Sequence, residues 1–408
     1  MNLFTKSIFA SILPCAAVSA QGLYSIAPND DEADSSLPLT YIVGASVGYD
    51  NNPTPLFNGG DNDGAAYGSV FAQANFTSVS PQTTWDFFAR IGARFYFSAI
   101  DGNDINSTNY DARVGVNLTH RFSERLRFSS RNFVAYETEP DFDFGLVGGQ
   151  REGQYFRYSS ENSVGYRWSD RLATQTGVNF SGVIYDELAD SDFTRIGLRH
   201  DFRYRLSPAT VVTAGYRYAV VDADNGGESD SHFFLGGIEH RISPVSAIVL
   251  RAGAQINNPD NGDSRTRPFV EASLRSQLTQ QLSLNSFVRY SNEAYNRGLT
   301  DGGTPPQQFL FEQSQTLRVG ARFNYSLNPR VSLFGGVSYI FTDYEDIVTP
   351  VGGDEGNEGI LNLSVGGSYR LTDNLYLTGS YNFTTAFSDF DGREYDRNRV
   401  QVGIQATF

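Results

Sequence analysis

The feature that most restricts this chain is a short polar knot set between two apolar alternations, written out eight times. It reads "YRLTDNLYL" at 369–377, with near-copies "YSLNPRVSL" at 325, "SQLTQQLSL" at 276, "HRISPVSAI" at 240, "YRLSPATVV" at 204, "YRWSDRLAT" at 166 and "HRFSERLRF" at 120, and a degenerate copy "SVSPQTTWD" at 78. Ser-Pro, Thr-Asp and Asn-Pro are turn formers, because their side chains bond nearby backbone or fix its dihedrals. The sequence between knots alternates with period two, so each knot is a tight turn between two strands.

The alternation is regular. Trp85, Phe87, Ala89, Ile91, Ala93, Phe95 and Phe97 share one parity, against Asp86, Phe88, Arg90, Gly92, Arg94 and Tyr96. Leu317, Val319, Ala321, Phe323 and Tyr325 likewise oppose Arg318, Gly320, Arg322 and Asn324. Such a pattern predicts strands with one apolar and one polar face. The connections on the other side of each pair are long and rich in Asp, Asn and Gly, such as "NNPTPLFNGGDNDG" and "EDIVTPVGGDEGNEG". Short turns alternating with long loops are the asymmetry of outer-membrane barrels. Eight turns separate nine hairpins, which predicts an all-β fold: a single antiparallel transmembrane β-barrel of about 18 strands, with short periplasmic turns and long extracellular loops. The predicted strands run from 39–50 and 65–78 through 331–342 and 360–371 to 397–408. No apolar run of about 18 residues follows the N-terminus, so no transmembrane helix is available.

Residues 1–20 read as a signal peptide: Lys6 supplies the positive region, Ser7 to Ala17 a short apolar stretch, and Val18-Ser19-Ala20 the small residues before a cut at Gln21. That peptide contains the chain's one Cys, Cys15, and its one Lys, so the mature chain is expected to lack both and to form no disulfide. Residues 21–38 form an acidic periplasmic lead-in, and the barrel occupies 39–408.

Arginine decides which face meets lipid. About 22 of the 30 Arg fall on the polar parity, and a lipid-facing Arg at the midplane costs roughly 2–4 kcal/mol. The Arg face is therefore expected to line the lumen, with Arg90, Arg94, Arg113, Arg131, Arg157, Arg217, Arg251, Arg275, Arg289, Arg318 and Arg322 as selectivity candidates. Asp86, Asp111, Glu137, Glu161, Asp201, Glu239, Glu271 and Glu312 share that parity. Part of the Arg population is thus expected to pair across strands, leaving a surplus that lowers the barrier for anions and acidic sugars. Lumen Phe88, Tyr96, Phe133 and Tyr185 could stack on sugar rings or simply fill space. Outward aromatics at both strand ends, Phe122, Trp168, Tyr204 and Tyr369 against Tyr136, Tyr218, Tyr290 and Tyr381, match the two interfacial girdles of a membrane barrel.

Enzyme chemistry finds little footing. His120, His200, His232 and His240 lack metal-ligand spacing and are expected at strand ends near the interfaces. "DADNGGE" at 222–228 half resembles a calcium loop but lacks its ordered spacing, and reads as a turn. No nucleophile elbow, phosphate loop or zinc signature occurs, so no cofactor, metal or catalytic residue is expected. Nothing suggests nucleic acid as a partner.

The last strand, "NRVQVGIQATF", alternates Val400, Val402, Ile404 and Ala406 up to Phe408. It resembles the C-terminal signal that hands outer-membrane proteins to the barrel assembly machinery. The opening "YIVGASVGYDNNPTPLF", with Gly48-Tyr49-Asp50-Asn51-Asn52-Pro53, resembles the start of the beta-barrel porin 2 family. Some of its members accompany exopolysaccharide synthesis. The resemblance implies an integral outer-membrane protein whose partners are membrane lipid, periplasmic chaperones and the assembly machinery, with a polysaccharide as a further candidate. It brings no catalytic residue. The expectation is a porin-like channel for anionic or sugar-like solutes, with a polysaccharide exporter or a structural or adhesive barrel as the alternatives.

Overall fold

In the computed structural model, the described residues are 39–53, 64–97, 108–138, 154–186, 192–224, 227–260, 262–294, 298–300, 307–349 and 355–408. The predicted signal peptide and lead-in lie outside them, as do most of the loop segments.

The strands are β1 (Leu39–Asp50), β2 (Ala65–Val79), β3 (Thr83–Tyr96), β4 (Thr108–Arg121), β5 (Leu126–Glu137), β6 (Tyr155–Arg167), β7 (Leu172–Tyr185), β8 (Phe193–Ser207), β9 (Thr210–Ala223) and β10 (Gly227–Ser243). They continue with β11 (Ser246–Pro259), β12 (Arg265–Gln277), β13 (Leu282–Asn292), β14 (Gly298–Thr300), β15 (Gln308–Asn328), β16 (Val331–Thr349), β17 (Gly356–Arg370), β18 (Leu375–Ser388) and β19 (Tyr395–Thr407). β14 is only three residues long and pairs with β15 alone, while β13 pairs directly with β15. The other eighteen follow one another antiparallel, and β1 pairs with β19, which closes the sheet. Closure removes the edge strands that would otherwise expose unpaired backbone groups to lipid.

The repeated knot now has a physical account. The polar residue that opens the turn, fourth in each quoted stretch and third in the degenerate copy, turns its side chain back onto the turn. Ser80 Oγ accepts from Thr83 N at 3.1 Å, and Ser123 and Ser169 each accept from the third residue on at 3.1 Å. Ser207 and Ser243 accept from the second residue on at 3.2 Å, Thr279 from Leu282 N at 3.0 Å, Asn328 from Val331 N at 3.0 Å and Thr372 from Asn374 N at 3.4 Å. A hydroxyl or amide at that position satisfies a backbone donor that a link of two to four residues leaves open.

Parity sorts the faces as expected. Val47, Ile91, Phe122, Trp168, Val400, Val402 and Ile404 are exposed on the outside, while Asp50, Tyr67, Tyr96 and Arg203 are buried on the inside. The strand boundaries differ most on one side. "EDIVTPVGGDEGNEG" reads as a loop in sequence, yet β16 continues to Thr349 and β17 begins at Gly356. β15, with 21 residues, rises beyond the membrane span with them. Above the bilayer the pattern no longer needs an apolar outer row, so its polarity disguises it as loop.

Candidate functional site in the barrel lumen

Acids and Arg on alternate strands form a continuous ladder across one side of the lumen. On β8, Arg203 donates Nη1 and Nη2 to Glu239 of β10 at 2.7 and 2.5 Å, and neither side chain is more than 1% exposed. Glu239 lies 3.6 Å from Arg251 of β11, which donates to Glu271 of β12 at 2.8 Å, and Arg217 of β9 stands 3.9 Å from that same carboxylate. Arg289 of β13, in register with Glu271, donates to Glu293 at 2.7 Å. Glu293 in turn receives Nε and Nη2 of Arg318 from β15 at 2.8 and 2.5 Å. The alternation of sign compensates the desolvation of each charge; removing any one member would leave another buried without its counter-charge.

Glu293 stands just past the end of β13, where the chain turns inward. Gln255 of β11 grips the backbone of Asn292 from both sides, donating to its O at 2.9 Å and accepting from its N at 3.0 Å. Ser314 Oγ donates to Glu293 O at 2.5 Å. Ala294 packs into an apolar cluster of Tyr155, Val183, Tyr185, Phe193, Val221 and Ala223, on the inner faces of β6 to β9. After Asn292, the last residue of β13, Glu293 and Ala294 therefore leave the strand, and Ala294 is fastened over the inner wall of strands four to seven places away.

The eleven sequence candidates divide accordingly. Arg217, Arg251, Arg289 and Arg318 belong to the ladder. Arg90 pairs with Asp111 at 3.5 Å and Arg113 with Glu137. Arg131 donates to Asn117 at 3.2 Å, which itself donates to Asp86 at 2.6 Å. Arg157 lies 4.9 Å from the Phe133 ring centre and Arg94 5.1 Å from that of Tyr67. Arg275 and Arg322 also have partners within the chain. The expected surplus of unpartnered wall arginines is thus corrected: each candidate is engaged, because long side chains on a curved wall reach carboxylates, amides and rings on the adjacent strands. Arg318 is 2% exposed and serves the fastened segment rather than an open wall.

Sequence reading missed three acids that do this work. Glu293 and Glu358 fell in segments read as loop, and Asp50 was noticed only as part of a motif. Asp50 takes Arg397 Nε at 3.1 and 3.0 Å and Nη2 at 2.6 Å, both groups buried, at the outer end of the β1–β19 seam. Glu358 holds Arg393. His200 was expected at a strand end but stands in the middle of β8, bonded through Nδ1 to Thr176 Oγ1 at 2.8 Å on the outer face. At the outer rim, burial raises the Asp192 carboxyl above its ordinary range and the nearby Asp224 adds to this, while the Tyr185 backbone N–H opposes it.

The remaining arc of the lumen, from β16 round through β19 to β2, is neutral at mid-depth apart from Arg399, which stands opposite Asn382. Its inward residues include Ser338, Asn362, Ser364, Ser380, Asn382, Gln401, Ser46, Ser69, Gln73 and Asn75. Several of them bond to one another or to a neighbour on the same face: Asn362 Nδ2 to Thr384 Oγ1 at 2.7 Å, Gln401 Nε2 to Ser46 Oγ at 2.7 Å, and Ser46 to Ser69 at 2.6 Å. The other charges on this arc lie at the strand ends, with Asp50, Glu358 and Arg397 at the outer end and Arg370 at the inner. The lumen therefore has a charged side and an amide-and-hydroxyl side.

The family described as outer membrane protein beta-barrel domain matches residues 243–408. No curated protein matches the chain. Among solved structures, Acinetobacter baumannii OccAB4 aligns at 12% identity and a TM-score of 0.45, covering 92% of this chain and 100% of that one. Pseudomonas aeruginosa OpdK with vanillate aligns at 13% and 0.45, covering 91% and 98%. A mutant of the ferric enterobactin receptor PfeA of Pseudomonas aeruginosa aligns at 9% and 0.44, covering 91% and 81%. These values are too low to say anything of what the present chain carries. The family match, the closed barrel and its apolar outer band make the chain an integral outer-membrane protein.

Proposed function

We propose that this barrel is a porin-like channel for the passive diffusion of small anionic or sugar-like solutes. The observation that carries the reading is the division of its lumen into a charged arc and a neutral arc of amides and hydroxyls. On the charged arc Arg outnumbers carboxylates, and fixed positive charge raises the local concentration of anions even where individual guanidinium groups are paired. The neutral arc offers both donors and acceptors, the chemistry by which sugar hydroxyls replace bound water. Liposome swelling with the purified chain tests this: small sugars and sugar acids should enter, acids faster at low salt, and rates should fall with solute size. Impermeable liposomes containing folded protein would refute it.

A second reading, export of an exopolysaccharide, draws on the same neutral arc, which could run along an extended glycan. Swelling that continues with long oligosaccharides at undiminished rates would favour it. In either case the alternating strand ending in Phe408 suits recognition by the assembly machinery. Its backbone exchanges two bonds with Tyr41, N to O at 2.8 Å and O from N at 3.0 Å.

A further inference from the structure

The outer face of the barrel breaks its own rule most strongly at one place. On β5 and β6 the outward row reads Phe128, Ser130, Asn132, Val134 against Val164, Asn162, Ser160, Tyr158, in direct cross-strand register. Four polar side chains thus stand together at mid-depth, whereas elsewhere on this face polar residues near mid-strand are singles or a pair, such as Ser286 and His200 with Thr176. They form a closed ring. Ser130 Oγ donates to Asn162 Oδ1 at 2.7 Å, and Asn162 Nδ2 to Ser160 Oγ at 3.0 Å. Ser160 Oγ donates to Asn132 Oδ1 at 2.7 Å, and Asn132 Nδ2 to Ser130 Oγ at 3.0 Å. The flanking strands are apolar at this level, with Val116 and Leu118 on β4 and Val178 and Phe180 on β7. Among the described residues no other Asn or Gln stands on the outward row at mid-depth.

The ring uses one N–H of each amide and one acceptance by each oxygen, so each Asn keeps a second N–H and each hydroxyl oxygen a second lone pair. In hydrocarbon no solvent takes these up, and polar side chains at such positions draw membrane segments together. We propose that this patch is the contact surface for a second copy of the same chain. Two barrels inserted in the same orientation are related by a twofold axis along the membrane normal. That axis sets β5 of one against β6 of the other at equal depth. Asn132 then faces Ser160 of the second copy, and Asn162 faces Ser130 of the second copy, so each spare amide N–H meets a spare hydroxyl lone pair. The set is uncharged and complementary to itself, which a copy satisfies without further conditions.

The same symmetry places Phe128 opposite Val164 of the second copy. Two differently tagged chains, one Phe128→Cys and one Val164→Cys, both in a Cys15→Ser background, are co-expressed and oxidised in native membranes. A disulfide-linked pair carrying both tags is expected. Adding Ser130→Ala, Asn132→Leu, Ser160→Ala and Asn162→Leu to both chains should reduce that band at least tenfold while the heat-modifiable folded form persists, since apolar side chains suit this face. Absence of the mixed pair, a pair undiminished by the fourfold change, or linkage to a protein of another size would each overturn the proposal.

Discussion

Asp50 on the first strand and Arg397 on the last form a buried, multiply bonded ion pair, with Nη2 to Oδ2 at 2.6 Å, at the outer end of the seam that closes the barrel. Asn51 and Asn52 extend the junction: Asn51 N donates to Asn398 O at 3.1 Å and Asn52 Nδ2 to Asp396 O at 3.1 Å. The conspicuous Gly-Tyr-Asp-Asn-Asn-Pro motif is thus a seam lock. Arg397→Met should leave Asp50 buried without its counter-charge and lower stability by about 3–5 kcal/mol, read as a shift in the urea midpoint of the folded form. The further change Asp50→Asn should restore part of the loss; an unchanged midpoint in the single variant would remove the lock.

Gly48 belongs to the same seam for a steric reason. A Cβ there would stand 2.5 Å from Tyr67 Cζ and 2.5 Å from the Val400 carbonyl oxygen, and that oxygen belongs to backbone already in the ladder. At Gly236 on the outer face a Cβ would meet nothing within 4 Å. Gly48→Ala should therefore sharply reduce the heat-modifiable form in membranes, and Gly236→Ala should leave it unchanged. Equal behaviour of the two variants would show that the seam tolerates a side chain.

The fastened segment makes a separate prediction. Glu293→Gln removes the counter-charge of both Arg289 and Arg318, at a cost of about 3–5 kcal/mol, and loosens the hold on Asn292–Ala294. Recordings of this variant should show larger or noisier current steps than the wild type. The pair Glu293→Gln with Arg318→Met should recover part of the stability, as coupled neighbours do. Additive losses would mean the two residues act independently.

Selectivity is best tested away from that segment. Arg94→Glu combined with Arg131→Glu reverses two inward charges on the charged arc without touching the ladder. Reversal potentials at low ionic strength should move toward cations, and the difference should shrink at about 1 M salt, where screening acts over roughly 3 Å. An unmoved reversal potential would show that their partners already cancel them.

The strand count, the closure and the two faces were legible because period two, turn chemistry and the cost of Arg in lipid all act locally along the chain. The rise of β15 to β17 above the bilayer was not legible, since strands that leave the membrane lose the apolar row that announces them. The ladder was half legible: parity gave Glu239 and Glu271, but Glu293 acts only because the chain turns inward after Asn292, which no local pattern encodes. The polar break in "SSRNFVAY" and "SSENSVGY" stands plainly in the sequence. Its meaning depends on the β5–β6 register that brings Ser130 beside Asn162.

Single-channel recording of the purified, folded chain in a planar bilayer tests the central claim most directly. The account predicts discrete ohmic current steps with anion preference at low salt that fades as salt rises. Protein that is folded and inserted yet electrically silent across the voltage range would contradict it.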